Sequence, residues 1–265
     1  MISNSNTSAL RQRAMCLVLG SAATMMAAQA LAETLPTLTE RKTAANATAN
    51  NHALCTAIAP FHWSLGDGSG RLVEGVVGTG GPDALTTMNI ASASKLLYGA
   101  WVAERRAGTL TAEDVRYLNF TSGYTKFRWC RRGQTVAECQ TSRANGDHVA
   151  DDDGKFRYSG GHMQKHATLM GLGPDDNAAL AHDISAALGN IDITYSQPQL
   201  AGGVVTNATE YGRFLQRTVA GQTKIASLLG SHPVCTNPRT CPSAISTPIP
   251  SDESWHYSVG HWVED

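Results

Sequence analysis

Apolar positions along this chain fall into short runs with two different periods. Ile90, Leu97, Trp101 and Val102 recur at helical spacing, which predicts a helix opening near Ser92, with that serine or the residue before it as N-cap. Gly108 suits the helix's C′ position, and Thr111 with Asp114 reads as a capping box for a short helix beyond it. A helix over His162 to Gly171 ends at that glycine, residues 178–188 give an amphipathic helix, and Asn207 caps another that carries Phe214 and Leu215. Two strand-like runs, Phe61 to Leu65 and Arg71 to Val77, flank Gly66-Asp67-Gly68-Ser69-Gly70 and predict a hairpin. Trp255 to Val263 alternates like a strand. Residues 33–52, rich in Thr, Ala and Asn without an apolar period, read as a flexible lead-in. The polar stretch 125–157 reads as one long loop. No internal repeat is visible.

Composition narrows the class. The 265 residues carry a net charge of −1 and are 42% apolar, as in a soluble globular protein. There is no basic excess and no aromatic–basic interleaving over the chain, so nucleic acid is not an expected partner. Arg11 and Arg13 precede the apolar run Ala14-Met15-Cys16-Leu17-Val18-Leu19, and small residues lead to Ala30-Leu31-Ala32. This predicts a signal peptide over 1–32, cleavage after Ala32, no membrane anchor afterwards, and a periplasmic or secreted protein. Export makes Cys130 with Cys139 and Cys235 with Cys241 candidate disulfides and leaves Cys55 over.

Candidate chemistry centres on Ser92-x-x-Lys95. Positions i and i+3 share a helix face, so the lysine amine sits one turn from the hydroxyl. A serine needs a base to become a nucleophile, and a lysine is a base only when burial or a neighbouring cation lowers its pKa. A serine at a helix N-terminus also turns its N–H towards a developing oxyanion. The motif alone is weak, since it arises by chance about once in a few hundred residues. Competing sites are weaker still. Gly78 to Asp83 lacks the spacing of a phosphate loop, Asp151-Asp152-Asp153-Gly154 lacks the later carboxylate of a calcium loop, and His162 with His166 gives an i, i+4 pair for zinc without a third ligand.

Several segments in order resemble the serine β-lactamase-like superfamily, which holds class C β-lactamases, D-Ala-D-Ala carboxypeptidases and related esterases. Ile90 to Lys95 is similar to the nucleophile motif, and Asn119-Phe120-Thr121-Ser122-Gly123 to the stretch that follows it. Leu200 to Asn207, running on to Phe214-Leu215, and Tyr257-Ser258-Val259-Gly260-His261-Trp262 resemble two later segments. The likeness runs from about residue 60 to the end.

The resemblance implies an α+β fold over 53–265, an antiparallel sheet flanked by helices with a mostly helical subdomain. It also implies an acyl-enzyme mechanism on Ser92 with no cofactor and no metal. The family's Tyr-x-Asn has two candidates. Tyr117-Leu118-Asn119 matches the letters, but Tyr158-Ser159-Gly160 has the better context, so Tyr158 is the second proton-transfer group, with Gly160 where the asparagine would be. Gly160 and Gly161 join Ser92 as expected oxyanion and substrate-binding positions. Losing the asparagine amide favours small-molecule esters over amides. A β-lactamase, a D-Ala-D-Ala carboxypeptidase, or a penicillin-binding module without turnover are the alternatives; the oligomeric state is open. No Lys/His-Thr/Ser-Gly motif follows Trp262, from which further strands, a closing helix and a partner for Cys55 are expected in a longer relative.

Overall fold

Helical structure begins where the apolar period is absent. A computed structural model describes residues 36–264; the segment read as a signal peptide lies outside the described residues. The stretch expected as a flexible lead-in instead forms helix α1, Leu38–Asn51. Its alanines and its Glu40-Arg41-Lys42 run favour helix by backbone propensity. Only Ala49 is buried, so there was no apolar stripe to read.

The other elements follow in chain order: α2 (Ala53–Ala57), β1 (Phe61–Asp67), β2 (Gly70–Val77), β3 (Met88–Asn89), α3 (Ser94–Arg105), α4 (Ala112–Leu118), α5 (Val136–Thr141) and β4 (Phe156–Arg157). Then come α6 (Gly161–Ala167), α7 (Asn177–Ala187), β5 (Thr194–Tyr195), β6 (Val204–Thr206), α8 (Ala208–Val219), β7 (Val234–Cys235), β8 (Ala244–Ser246), β9 (His256–Ser258) and β10 (His261–Val263). The α+β expectation holds. Among the described residues, however, the strands form four small sheets: β1–β2, β10–β9–β7 and β3–β6–β5, all antiparallel, and the parallel pair β4–β8. Among the described residues no helix is long and apolar enough to cross a membrane.

Local chemistry explains most boundaries. Thr111 and Asp114 form the expected capping box of α4. A second box, Thr135 with Glu138, starts α5 inside the stretch read as loop. Cys130 pairs with Cys139, and Cys235 with Cys241; Cys55 is half-buried and free. Gly171 leaves the helical region at φ 94° and ends the extension of α6. Trp255 to Val263 is a hairpin rather than one strand, because Val259 (φ 41°) and Gly260 (φ 88°) both turn left-handed, as a tight two-residue turn requires. A valine resists that conformation. Buried Asn119 holds it there by accepting the Val259 N–H at 2.6 Å while donating to the His232 carbonyl.

The core is organised around α3, whose residues from Leu97 to Ala103 are all buried. The Val259–Gly260 turn lies directly on this helix. A Cβ on Gly99 would meet the Val259 carbonyl at 2.6 Å, and one on Gly260 would meet the Lys95 carbonyl at 2.6 Å. Gly99→Ala should therefore destabilise the protein by about 1–3 kcal/mol, read as a lower urea midpoint at unchanged slope. An unchanged midpoint would mean that helix and turn separate at little cost.

Candidate active site

Three elements converge on Ser92. β3 pairs with β6, and the Ile90 N–H donates to the Val204 carbonyl at 3.0 Å. The chain then turns sharply, with Ala91 at φ 44° and its N–H held by Asn89 Oδ1 at 2.6 Å. Such a backbone costs about 1–3 kcal/mol unless its surroundings impose it. Residues Ala91–Ala93 form one 3₁₀ turn before α3. Ser92 is thus exposed on this turn and is not the N-cap; Ala93 occupies that position and makes no side-chain cap bond. The hydroxyl is left to other partners.

Lys95 lies one turn on, only 5% exposed. Its Nζ is 2.9 Å from Ser92 Oγ and 2.7 Å from the Ala201 carbonyl oxygen. Burial pushes the amine down to about 8. Tyr158, immediately after β4, lies beside it, with Nζ 4.7 Å from the centre of its ring. Burial raises the Tyr158 phenol, against hydrogen bonds with the Ser92 and Trp262 side chains. Its ring stacks on Trp262, centroids 5.3 Å apart at 25°, and meets Phe120 edge-on. Ser92, Lys95 and Tyr158 therefore come together. Trp262 and the Ala201 carbonyl join them; both lie in segments that the resemblance singles out, but nothing in the sequence assigns either to the site, because a carbonyl belongs to every residue and Trp262 reads as part of a strand.

Gly160 and Gly161 begin α6 and are glycines for reasons of packing. A Cβ on Gly160 would meet Phe127 at 3.1 Å and Ala201 at 3.2 Å, and one on Gly161 would run into the Tyr124 carbonyl. The Gly161 N–H points to Ser159 Oγ at 3.4 Å. The rival Tyr117-Leu118-Asn119 is used elsewhere, Tyr117 stacking on His166 and Asn119 pinning Val259.

The histidine pair proposed for zinc does not converge. His162 Nδ1 is 2.8 Å from Ser122 Oγ and its Nε2 3.1 Å from the Arg157 carbonyl. His166 Nε2 faces Asp114 at 3.0 Å and its Nδ1 the Tyr98 hydroxyl at 3.1 Å. Burial pushes His162 down to about 3 and also lowers His166. Burial opposes the charge of Asp114, but hydrogen bonds from Arg106, Thr111 and His166 hold that carboxyl at about 2. Two cavities of about 440 and 490 Å³ border the β1–β2 hairpin and α8 and include none of the three site residues. The candidate site is assigned on the convergence of nucleophile and base, which is the more specific observation.

No family model and no curated protein matches the chain. It is similar in fold to parts of three solved structures. A candidate β-lactamase of Bacteroides dorei is 19% identical over 59% of this chain and 57% of its own, with a TM-score of 0.45. FmtA of Staphylococcus aureus is 10% identical over 68% of this chain and 65% of its own, with a TM-score of 0.49. A β-lactamase of Mycobacterium bovis is 12% identical over 59% and 54%, with a TM-score of 0.35. The chain therefore spans less than two thirds of the length of each.

The lowered Lys95 pKa has a consequence for stability. Below pH 8 the amine is protonated folded and unfolded, and the cost of the buried charge is fully present. Between about 8 and its unfolded value of about 10.4, the unfolded chain binds the extra proton, so stability rises with pH. The parent should gain about 2 kcal/mol between about pH 7 and 9.5 that Lys95→Met lacks, measured by urea unfolding. Parallel pH profiles for the two proteins would show that the amine is not desolvated.

Proposed function

We propose that this chain is a serine hydrolase that cleaves carboxylic esters of small molecules through an acyl-enzyme on Ser92. The observation that carries this reading is an exposed hydroxyl 2.9 Å from a buried amine whose pKa is pushed down to about 8. About a tenth of such an amine is neutral at pH 7. In that form one N–H donates to the Ala201 carbonyl, which orients the nitrogen lone pair to accept the Ser92 proton. The Ser92 oxygen then attacks the ester carbonyl carbon, and the π pair moves to oxygen near the Ser92 N–H. Collapse expels the alcohol oxygen, which takes the proton back from Nζ. Water attacks the acyl-enzyme by the same proton route in reverse order.

Tyr158 stays a neutral phenol at physiological pH, because burial raises its pKa. It serves as a hydrogen-bond donor and proton relay beside Ser92, with Lys95 as the base. The ester preference is supported by Gly160, since no side-chain amide stands there to hold a substrate amide and the space is taken by Phe127 and Ala201. The chemistry needs no cofactor. Export to an oxidising compartment is supported by the Cys130–Cys139 and Cys235–Cys241 pairs.

Intact mass after a fluorophosphonate probe should show one adduct on the parent and none on Ser92→Ala. Short-chain p-nitrophenyl esters should turn over, and a chromogenic cephalosporin should not. The absence of an adduct on folded parent protein would refute the nucleophile. In the ester assay kcat/KM should rise with pH through an inflection near 8, the pH at which Lys95 loses its proton. Tyr158→Phe should lower kcat by about 10²–10⁴ while leaving that inflection in place; a loss of the inflection instead would transfer the role of base to the tyrosine.

A further inference from the structure

Apart from Phe127, whose ring packs against Gly160, the segment from Lys126 to Arg143 takes no part in this chemistry, and its charge departs from that of the whole chain. Against a net charge of −1 overall, it holds five cations, Lys126, Arg128, Arg131, Arg132 and Arg143, and one carboxylate, Glu138. That carboxylate is committed to the Thr135 N–H in the capping box of α5. All five cations are exposed, and none enters an ion pair among the described residues. The cations alternate with Phe127 and Trp129, a local interleaving that the average over the chain conceals.

The segment is also held in shape. Asn145, fully buried, accepts the Arg128 N–H at 2.9 Å and donates to the Trp129 and Cys139 carbonyls at 3.2 and 2.9 Å. With the Cys130–Cys139 bond it fastens residues 128–130 beside 139–145. Arg143, at φ 56°, is turned back over the indole of Trp129, its guanidinium 4.5 Å from the ring centre, and that of Arg131 lies at 5.7 Å. Trp129 remains 43% exposed. Guanidiniums stacked on an indole lose little further freedom when they bind phosphate.

A small anion needs donors that converge from several sides. Here every cation is exposed, and the guanidiniums of Arg131 and Arg143 lie over an exposed indole, which makes a surface feature rather than a pocket. An indole prefers the level of lipid headgroups, where basic side chains meet anionic phosphates. We propose that residues 126–143 form a membrane-facing surface by which this protein adsorbs to bilayers rich in anionic phospholipid. Phe127 lies where a Gly160 side chain would go, so the adsorbed face adjoins the candidate active site.

The test is co-sedimentation of the full chain with vesicles of equal phosphatidylglycerol and phosphatidylcholine, and with phosphatidylcholine alone. Binding is expected only to the anionic vesicles, and it should weaken at least about tenfold between about 0.1 and 0.5 M salt. Arg131→Ala and Arg132→Ala should each lower the partition coefficient about fivefold. Trp129→Ala should remove the part of the fluorescence quenched by brominated lipid. Thermal midpoint and fluorophosphonate labelling of these variants serve as checks on folding, and Ser92→Ala should adsorb like the parent, which separates this proposal from the proposed hydrolysis. Absence of adsorption overturns the proposal, as does adsorption that the variants leave unchanged. Binding of soluble polyphosphate by this segment without binding of vesicles also overturns it and identifies a dissolved polyanion instead.

Discussion

An amine removed from water but still hydrogen-bonded is the constraint around which the site is built. Burial of Lys95 destabilises its charged form, and without partners that cost would be several kcal/mol. Two oxygens, Ser92 Oγ and the Ala201 carbonyl, keep the nitrogen satisfied in either protonation state. The charged amine donates to both. The neutral amine donates to the carbonyl and accepts from the hydroxyl. The two forms therefore differ by a proton more than by a geometry, which suits the proposed role of a group that gains and loses a proton in each cycle.

Keeping that amine dry depends on close packing behind and beside it. α3 is buried along nearly its whole length, and glycines at 99 and 260 let the β9–β10 turn lie directly on its backbone. The same hairpin carries Trp262, whose ring stacks on Tyr158, while Lys95 lies against the tyrosine ring. Asn119 makes this possible from a distance by holding Val259 in a conformation that valine resists. The resemblance in the sequence around Thr121-Ser122-Gly123 thus extends to a residue whose role is to shape the hairpin 140 positions later.

What was legible in the sequence was what local chemistry determines. Ser92 and Lys95 are three residues apart on one helical turn, the β1–β2 hairpin has its glycine turn, and each disulfide closes a short loop. The α+β class was implied by the resemblance. Tyr158 was harder, because Tyr117 matches the letters of the pattern and Tyr158 only its context; in the tertiary structure Tyr117 stacks on His166, whereas Tyr158 meets Lys95. The Ala201 carbonyl and Trp262 were out of reach, since the first is backbone and the second acts through a contact 104 residues away. α1 and α5 escaped for another reason. One is a helix by propensity with almost no buried face, and the other is six residues long and starts from a capping box inside a polar stretch.

The histidines decide between a lysine base and a more familiar imidazole one. Ser122 and His162 have the separation of a nucleophile and its base, 2.8 Å, but Ser122 is 3% exposed and no substrate carbonyl reaches it. His162 also has its other nitrogen on the Arg157 carbonyl, and burial holds it neutral far below physiological pH. His166 joins Asp114 and Tyr98 in a buried network, reached from the surface by Arg106, that ties α3 to α4 and α6. Both rings thus brace the helices around the site, and neither faces Ser92. The exposed hydroxyl has Lys95 at hydrogen-bond distance, with Tyr158 beside it as a neutral phenol. An amine with a pKa near 8 beside an exposed hydroxyl, the pair that the proposed hydrolysis uses as base and nucleophile, is thus produced by burial and one carbonyl, with no carboxylate needed to raise or orient it.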